Sequence, residues 1–90
     1  MLTTAKTQTP PDHLDARQIY ELATIIKRDW RKVYFGAVPY LQAMATLETV
    51  DENYGATSGR SIVAYFLVNA GAWRGPIARA VKKELKARLK

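Results

Sequence analysis

From Ser61 to Val68 the chain runs Ser-Ile-Val-Ala-Tyr-Phe-Leu-Val without a charged residue, and no other stretch limits the fold as tightly. At helical spacing these side chains point in every direction, so the helix they form is apolar nearly all round after its first turn at Arg60 and Ser61. A helix of that kind belongs at the buried centre of a bundle, with other helices packed around it. Thr57 or Ser58 is placed to cap its start, and Gly71 to end it. The unbroken apolar run, Ile62 to Val68, is far below the roughly 18 to 20 residues that span a bilayer.

The rest of the chain supplies the cover. Met1 to Pro11 is Thr-rich and has no apolar centre of the kind a signal peptide needs, so it reads as a flexible tail. Asp12, with Asp15 three residues on, predicts an N-cap with an acidic first turn. A first helix follows over 13–35, because Ile19, Leu22, Ala23, Ile26, Trp30 and Val33 recur at i, i+3, i+4 and i+7 and form one stripe. Arg17, Glu21, Thr24, Arg28 and Lys32 take its opposite face. Gly36 suits the left-handed position after its end, and Lys27, Arg28, Arg31 and Lys32 crowd its last turns, where the helix dipole is negative.

Pro39 opens a second helix over 39–50 with Tyr40, Leu41, Met44 and Leu47 on its apolar side. The run Asp51-Glu52-Asn53-Tyr54-Gly55 breaks it, being rich in turn formers. The third helix then covers 58–70, and Gly75-Pro76 starts a fourth at 76–89. The pattern needs no strand. The predicted fold is all-α: a compact four-helix domain over 12–90, with a central apolar third helix and a basic C-terminal helix, behind the tail at 1–11. Ninety residues, 48% of them hydrophobic, supply one small core and no second domain.

Charge is concentrated at one end of the sequence. Residues 74–90 hold seven cations and one anion, Glu84, and so carry the whole net charge of +6, while the first 73 residues are balanced. On a helical wheel with Ile77 at zero and steps of about 100°, Arg79, Lys82, Lys83, Lys86 and Lys90 fall between roughly 140° and 240°. Ile77, Ala80, Val81 and Leu85 lie opposite, so the helix can dock while turning its charge outward. Such a stripe either meets phosphates or is simply solvated, and it lacks interleaved Asn or Gln of the base-reading kind. The third and fourth helices with their Gly-containing link have the proportions of a helix-turn-helix. The first turn of the fourth helix nevertheless offers Arg79 alone as a hydrogen-bonding side chain. Trp73 reads as an anchor between those helices, with Arg74 or Arg79 stacked or solvated beside it.

Chemistry of other kinds finds little footing. With no cysteine there is no disulfide framework or thiolate metal site, which fits a reducing cytosol. His13 is the only histidine, so neither a histidine metal cluster nor a histidine relay assembles within the chain. Asp51, Asn53 and Gly55 echo the start of a calcium loop, but its twelfth position is Ile62 where a bidentate Glu is required. Glu21, Asp29 and Glu48 have the context of solvated ion pairs on helix surfaces. No cofactor is implied. Five apolar or aromatic residues stand out as a surface for a partner: Tyr20 at the margin of the first helix, Ile25 on its polar side, the Tyr34-Phe35 corner, and Tyr54.

The run Arg28-Asp29-Trp30, then Val33-Tyr34-Phe35-Gly36-Ala37-Val38-Pro39-Tyr40-Leu41 and Ala43-Met44, continuing through Tyr54-Gly55, Arg60-Ser61-Ile62-Val63-Ala64-Tyr65-Phe66-Leu67, Asn69-Ala70 and Trp73-Arg74-Gly75, resembles a group of small proteins encoded by mycobacteriophages and related actinobacteriophages. The resemblance covers residues 15–90. Pro76 departs from it, standing where an acidic residue is expected after Trp-Arg-Gly. The resemblance carries no activity or site residue with it. It implies a phage accessory protein made in the cytoplasm of a bacterial host and acting by binding a macromolecule. The expected function is therefore non-catalytic binding of a host or phage protein. The alternative is sequence-nonspecific nucleic-acid binding through the basic helix. Self-association through the second helix or the Tyr34-Phe35 corner is compatible with either.

Overall fold

The computed structural model describes residues 11–90, so all of the expected tail except Pro11 lies outside the described residues. Among these residues four α-helices and one short hairpin follow in order: α1 (Ile19–Asp29), α2 (Val38–Met44), β1 (Asn53–Tyr54), β2 (Thr57–Ser58), α3 (Gly59–Val68) and α4 (Pro76–Arg88). Single 3₁₀ turns occupy Leu14–Ala16 and Phe35–Ala37. The protein is mainly helical, and no described helix is long and apolar enough to cross a membrane.

The first helix is shorter than its periodicity suggests, at both ends. Asp12 does not cap it. Gln18 does, its side chain bonding the backbone of Glu21 while the Glu21 carboxylate accepts from the Gln18 N–H at 2.8 Å, a reciprocal capping box. The next donors, Ile19 N–H and Tyr20 N–H, reach the carbonyls of Glu48 and Leu47. The second helix stops at Met44 instead of 50 because the donors that would continue it bond elsewhere: the N–H groups of Thr46 and Leu47 reach only three residues back, to Ala43 and Met44, and the Glu48 N–H donates to the Glu52 carboxylate at 2.9 Å. The Thr46 hydroxyl, donating to the Ala43 carbonyl at 2.8 Å, tightens the same turn.

At its other end α1 stops at Asp29, because Trp30 leaves the helical path to stack on Trp73. Gly36 is not left-handed. It sits in the 3₁₀ turn, and a Cβ there would fall 2.6 Å from the Tyr34 ring and 2.9 Å from Asn69 Oδ1, so close packing demands the glycine. Gly71 likewise does not close the third helix. The Asn69 side chain does, donating to the Tyr65 carbonyl at 2.8 Å.

The hairpin corrects the expectation of a strand-free fold. Asn53 pairs with Ser58 and Tyr54 with Thr57, across a turn whose Gly55 has φ 61°. Glycine at the first central position of a two-residue hairpin turn takes that angle without strain. The ladder is short, and Ser58 leaves it directly as the cap of α3, accepting from the Ser61 N–H at 3.1 Å. Gly59 lies so close under the preceding loop that a Cβ would come within 2.8 Å of the Val50 and Glu52 carbonyls.

The core joins all four helices. Ile19, Leu22, Ala23 and Ile26 of α1 face Leu41 and Met44 of α2, Ile62, Val63 and Phe66 of α3, and Ala78, Val81 and Leu85 of α4. At one end the Trp30 and Trp73 rings stack at 5.9 Å and 10°, and Phe66 meets Trp30 edge-on at 6.3 Å. Helix α3 is not enclosed on every side, however: Tyr65 is 52% exposed and Val68 79%.

Candidate interaction surfaces

The bonds between elements fix two ends of the helical stack. At one end the start of α1 lies against Leu47 and Glu48, Gly59 donates to the Glu52 carbonyl, and Arg60 reaches both Asp51 and the Leu89 carbonyl. Arg88 binds back across 71 to 74 residues of chain, its Nη2 donating to the carbonyls of Leu14, Asp15 and Arg17 while Nε pairs with Glu84. At the other end Asp29 accepts the Trp73 indole N–H at 2.8 Å, and the Tyr34 ring lies beside Asn69.

The two ends differ in charge. The ion pairs among the described residues are Arg17 with Glu21, Arg60 with Asp51, and Arg88 with Glu84, all at the first end. The chain from Trp30 to Leu47 and from Ser61 to Lys83 contains no carboxylate side chain. Those segments make most of the second end, where Arg31, Lys32 and Arg74 are exposed.

At that second end the expected aromatic corner is present and larger than expected. Phe35 is 78% exposed, and its ring packs against Tyr34 with centroids 4.8 Å apart and planes tilted by 60°. Tyr34, Val68, Asn69, Gly71 and Ala72 line a shallow hollow of about 360 Å³. Tyr65, one turn before Val68, is tilted against Tyr40 at 5.6 Å. Tyr65 and Val68 were not anticipated as surface residues, because the third helix reads as wholly buried. The polar residues Arg60, Ser61 and Asn69 mark the outer side of that helix and were the signal available.

The remaining expected contact residues scatter. Tyr20 is exposed on the outer side of α1. Ile25 is not an exposed hydrophobe. It is half-buried against the core and shares only a shallow recess with Tyr20, Thr24 and Arg28. Tyr54 is half exposed on the hairpin, at the opposite end from the Tyr34-Phe35 corner.

The basic stripe is assembled as its spacing predicts. Arg79, Lys82, Lys83, Lys86 and Lys90, with Ala87, line one hollow of about 620 Å³ along α4, and Ala78, Val81 and Leu85 are buried on the other side. Among the described residues none of the five joins an ion pair. Arg79 to Lys86 covers about 10 Å of helix axis at 1.5 Å per residue. Trp73 is the expected anchor at 2% exposure, but neither Arg74 nor Arg79 is its cationic neighbour. Lys82 takes that place, its Nζ 5.8 Å from the ring centroid and donating to the Trp73 carbonyl at 2.6 Å. Burial, then repulsion from Lys86 and Arg74, lowers the pKa of this ammonium. As the start of a reading helix α4 is poorly placed, since Ala78 is buried and Pro76 and Ile77 are half-buried.

Among the described residues no group of three or more His, Asp or Glu is arranged to hold a metal ion. Ile62, at the twelfth position of the calcium-loop echo, is a core residue at 2% exposure. In comparison with known proteins, no family model matches the chain, and no curated protein or solved structure matches it significantly.

Proposed function

We propose that this chain is a small non-catalytic phage accessory protein, working in the cytoplasm of its bacterial host by binding a host or phage protein. The observation that carries the reading is the corner where Val68, 79% exposed, lines a hollow with Tyr34, whose ring packs against Phe35, 78% exposed. Large apolar side chains held outward by a well-packed core mark a surface kept for a partner. The phage setting rests on the resemblance of the residue string, and the non-catalytic part on a sequence with one histidine and no cysteine.

A photo-crosslinking amino acid placed at 35 or 68, with position 24 on the outer side of α1 as control, tests the reading in host cells. A protein adduct formed from 35 and 68 but not from 24, and surviving nuclease, is the expected result. Adducts that appear equally from all three positions, or from none, remove the corner as a binding surface.

The row of unpaired cations on α4 favours a second reading, sequence-nonspecific nucleic-acid binding. Three to five phosphate contacts would give a log-log salt slope of about −3 to −5 on duplex DNA. Changing Arg79, Lys82, Lys83 and Lys86 together to Gln should abolish low-salt DNA binding. Binding that survives unchanged eliminates the stripe as its cause.

A further inference from the structure

We infer that the partner seated on the Tyr34-Phe35-Val68 corner is an acidic amphipathic protein segment, one presenting a bulky apolar side chain to the hollow and carboxylates to its rim. The inference rests on the protein-binding reading above and gives it a chemistry. Arg31 and Lys32 stand three and two residues before Tyr34, and Arg74 two residues after Ala72, and both Tyr34 and Ala72 line the hollow. All three are exposed. The segments that build the corner contain no carboxylate side chain, and Asp29, which is at this end, accepts the Trp73 indole N–H while keeping its negative charge. The chain around the hollow therefore carries three exposed cations against the one carboxylate of Asp29, an excess of positive charge. An apolar site with a mainly cationic surround selects by attraction for acidic partners and by like-charge repulsion against basic ones.

The same rim weighs against two other occupants. A second copy docking corner to corner about a two-fold axis would bring each cationic rim onto its own image. A stacked nucleobase needs a flat ring face on which to lie. Here the Phe35 and Tyr34 rings are tilted by 60° to each other, and the hollow is lined by the Tyr34 side chain together with the aliphatic Val68. A hollow with such walls receives a protruding side chain better than a planar base.

Three labelled helical peptides test the inference on the full chain by fluorescence anisotropy. They share one Leu/Phe face and carry Glu, Gln or Lys on the other. The Glu peptide should bind about tenfold tighter than the Gln peptide, since a few exposed ion pairs of up to about 1 kcal/mol each suffice for that ratio. Its advantage should shrink as salt rises, and the Lys peptide should bind weakest. Phe35→Ser with Val68→Ser should weaken the Glu peptide about tenfold or more. Arg31→Gln with Lys32→Gln should remove most of its advantage over the Gln peptide, Arg74 holding the remainder, and leave the Gln peptide unchanged. These four side chains are exposed or at the surface, so unchanged circular dichroism will show that folding is intact.

Equal binding of the Glu and Gln peptides, both lost in the Phe35→Ser/Val68→Ser variant, overturns the acidic chemistry while the protein-binding reading stands. If no peptide binding responds to that variant, both fall. Labelled oligo(dT) whose binding is lost in the same variant puts single-stranded nucleic acid in the corner instead of protein. A dimer in sedimentation that the variant dissolves puts a second copy there. Either result overturns the inference.

Discussion

The two ends of the helical stack treat charge in opposite ways. Where α1 begins and α4 finishes, Arg17, Arg60 and Arg88 each have a carboxylate partner, and Arg88 also satisfies three carbonyls of the chain before α1. Where α1 finishes and α4 begins, Arg31, Lys32 and Arg74 are exposed and unpaired among the described residues, beside rings and a valine that the core does not cover. The guanidinium of Arg88 is spent on folding, since its hydrogen bonds close one end of the molecule. At the far end Lys82 donates to the Trp73 carbonyl, whereas Arg31, Lys32 and Arg74 close nothing. Charge with no structural duty, beside apolar surface with no cover, is the ground on which the corner is proposed as a binding surface.

The largest expected effect removes the frame that holds the two ends apart. Phe66 is fully buried and meets Trp30 edge-on. Phe66→Ala should cost about 3–5 kcal/mol in urea unfolding. That is a large share of the roughly 5–15 kcal/mol a domain possesses. A loss below about 1 kcal/mol would mean that α3 is not the central packing element.

The comparison itself is sharpened by one arginine from each end. Arg88→Met removes charged hydrogen bonds to three carbonyls and strands Glu84, and should cost about 2–3 kcal/mol. Arg31→Met, with no partner to strand, should change stability by less than about 0.5 kcal/mol. Equal effects in urea unfolding would erase the distinction. Next in size, Phe35→Ser and Val68→Ser should each stay within about 0.5 kcal/mol of the parent, although both remove large apolar groups. A cost of about 2 kcal/mol or more at either position would identify it as core and remove it from the surface.

The helices were legible in the sequence because their periodicity is strong and local. Ile19, Leu22, Ala23 and Ile26 are buried as their spacing requires, and the five cations of α4 share a face because seven-residue spacing on a helix fixes that without tertiary information. What escaped was set by contacts far apart in the chain. The chain after α2 is held by Ile19 and Tyr20, whose N–H groups donate to the Glu48 and Leu47 carbonyls, and the end of α1 depends on Trp30 turning to meet Trp73. The hairpin has only two residues on each side, too few for an alternating pattern to show. The corner was half legible. Tyr34 and Phe35 announced themselves beside Gly36, but Tyr65 and Val68 sit in a run so apolar that its exposed side could be found only from Arg60, Ser61 and Asn69. The role of Arg88 had no local signal, because its carbonyl partners lie more than 70 residues away.

The smallest expected effect concerns the crowding of charge where α4 passes Trp73. Lys82 is held below the ordinary lysine value of 10.5, first by burial and then by Lys86 and Arg74. The unfolded chain has neither cause, so it keeps its proton to higher pH than the folded chain does. Below the folded pKa both forms are protonated, and folding bears the full cost of a crowded charge. As pH rises through the folded value toward 10.5 that cost is relieved, so this group makes the protein more stable on the alkaline side. Lys86→Gln removes one neighbour and should raise the Lys82 pKa part of the way back, leaving the burial contribution in place. Arg31→Gln, at the corner, should leave it unmoved. Side-chain NMR titration of Lys82 distinguishes the two variants even where unfolding cannot, because exposed charges are screened and contribute little to stability. If Lys82 titrates identically in the parent and in Lys86→Gln, the α4 cations do not feel one another, and the stripe is then a set of separate solvated charges with no shared field to offer a phosphate chain.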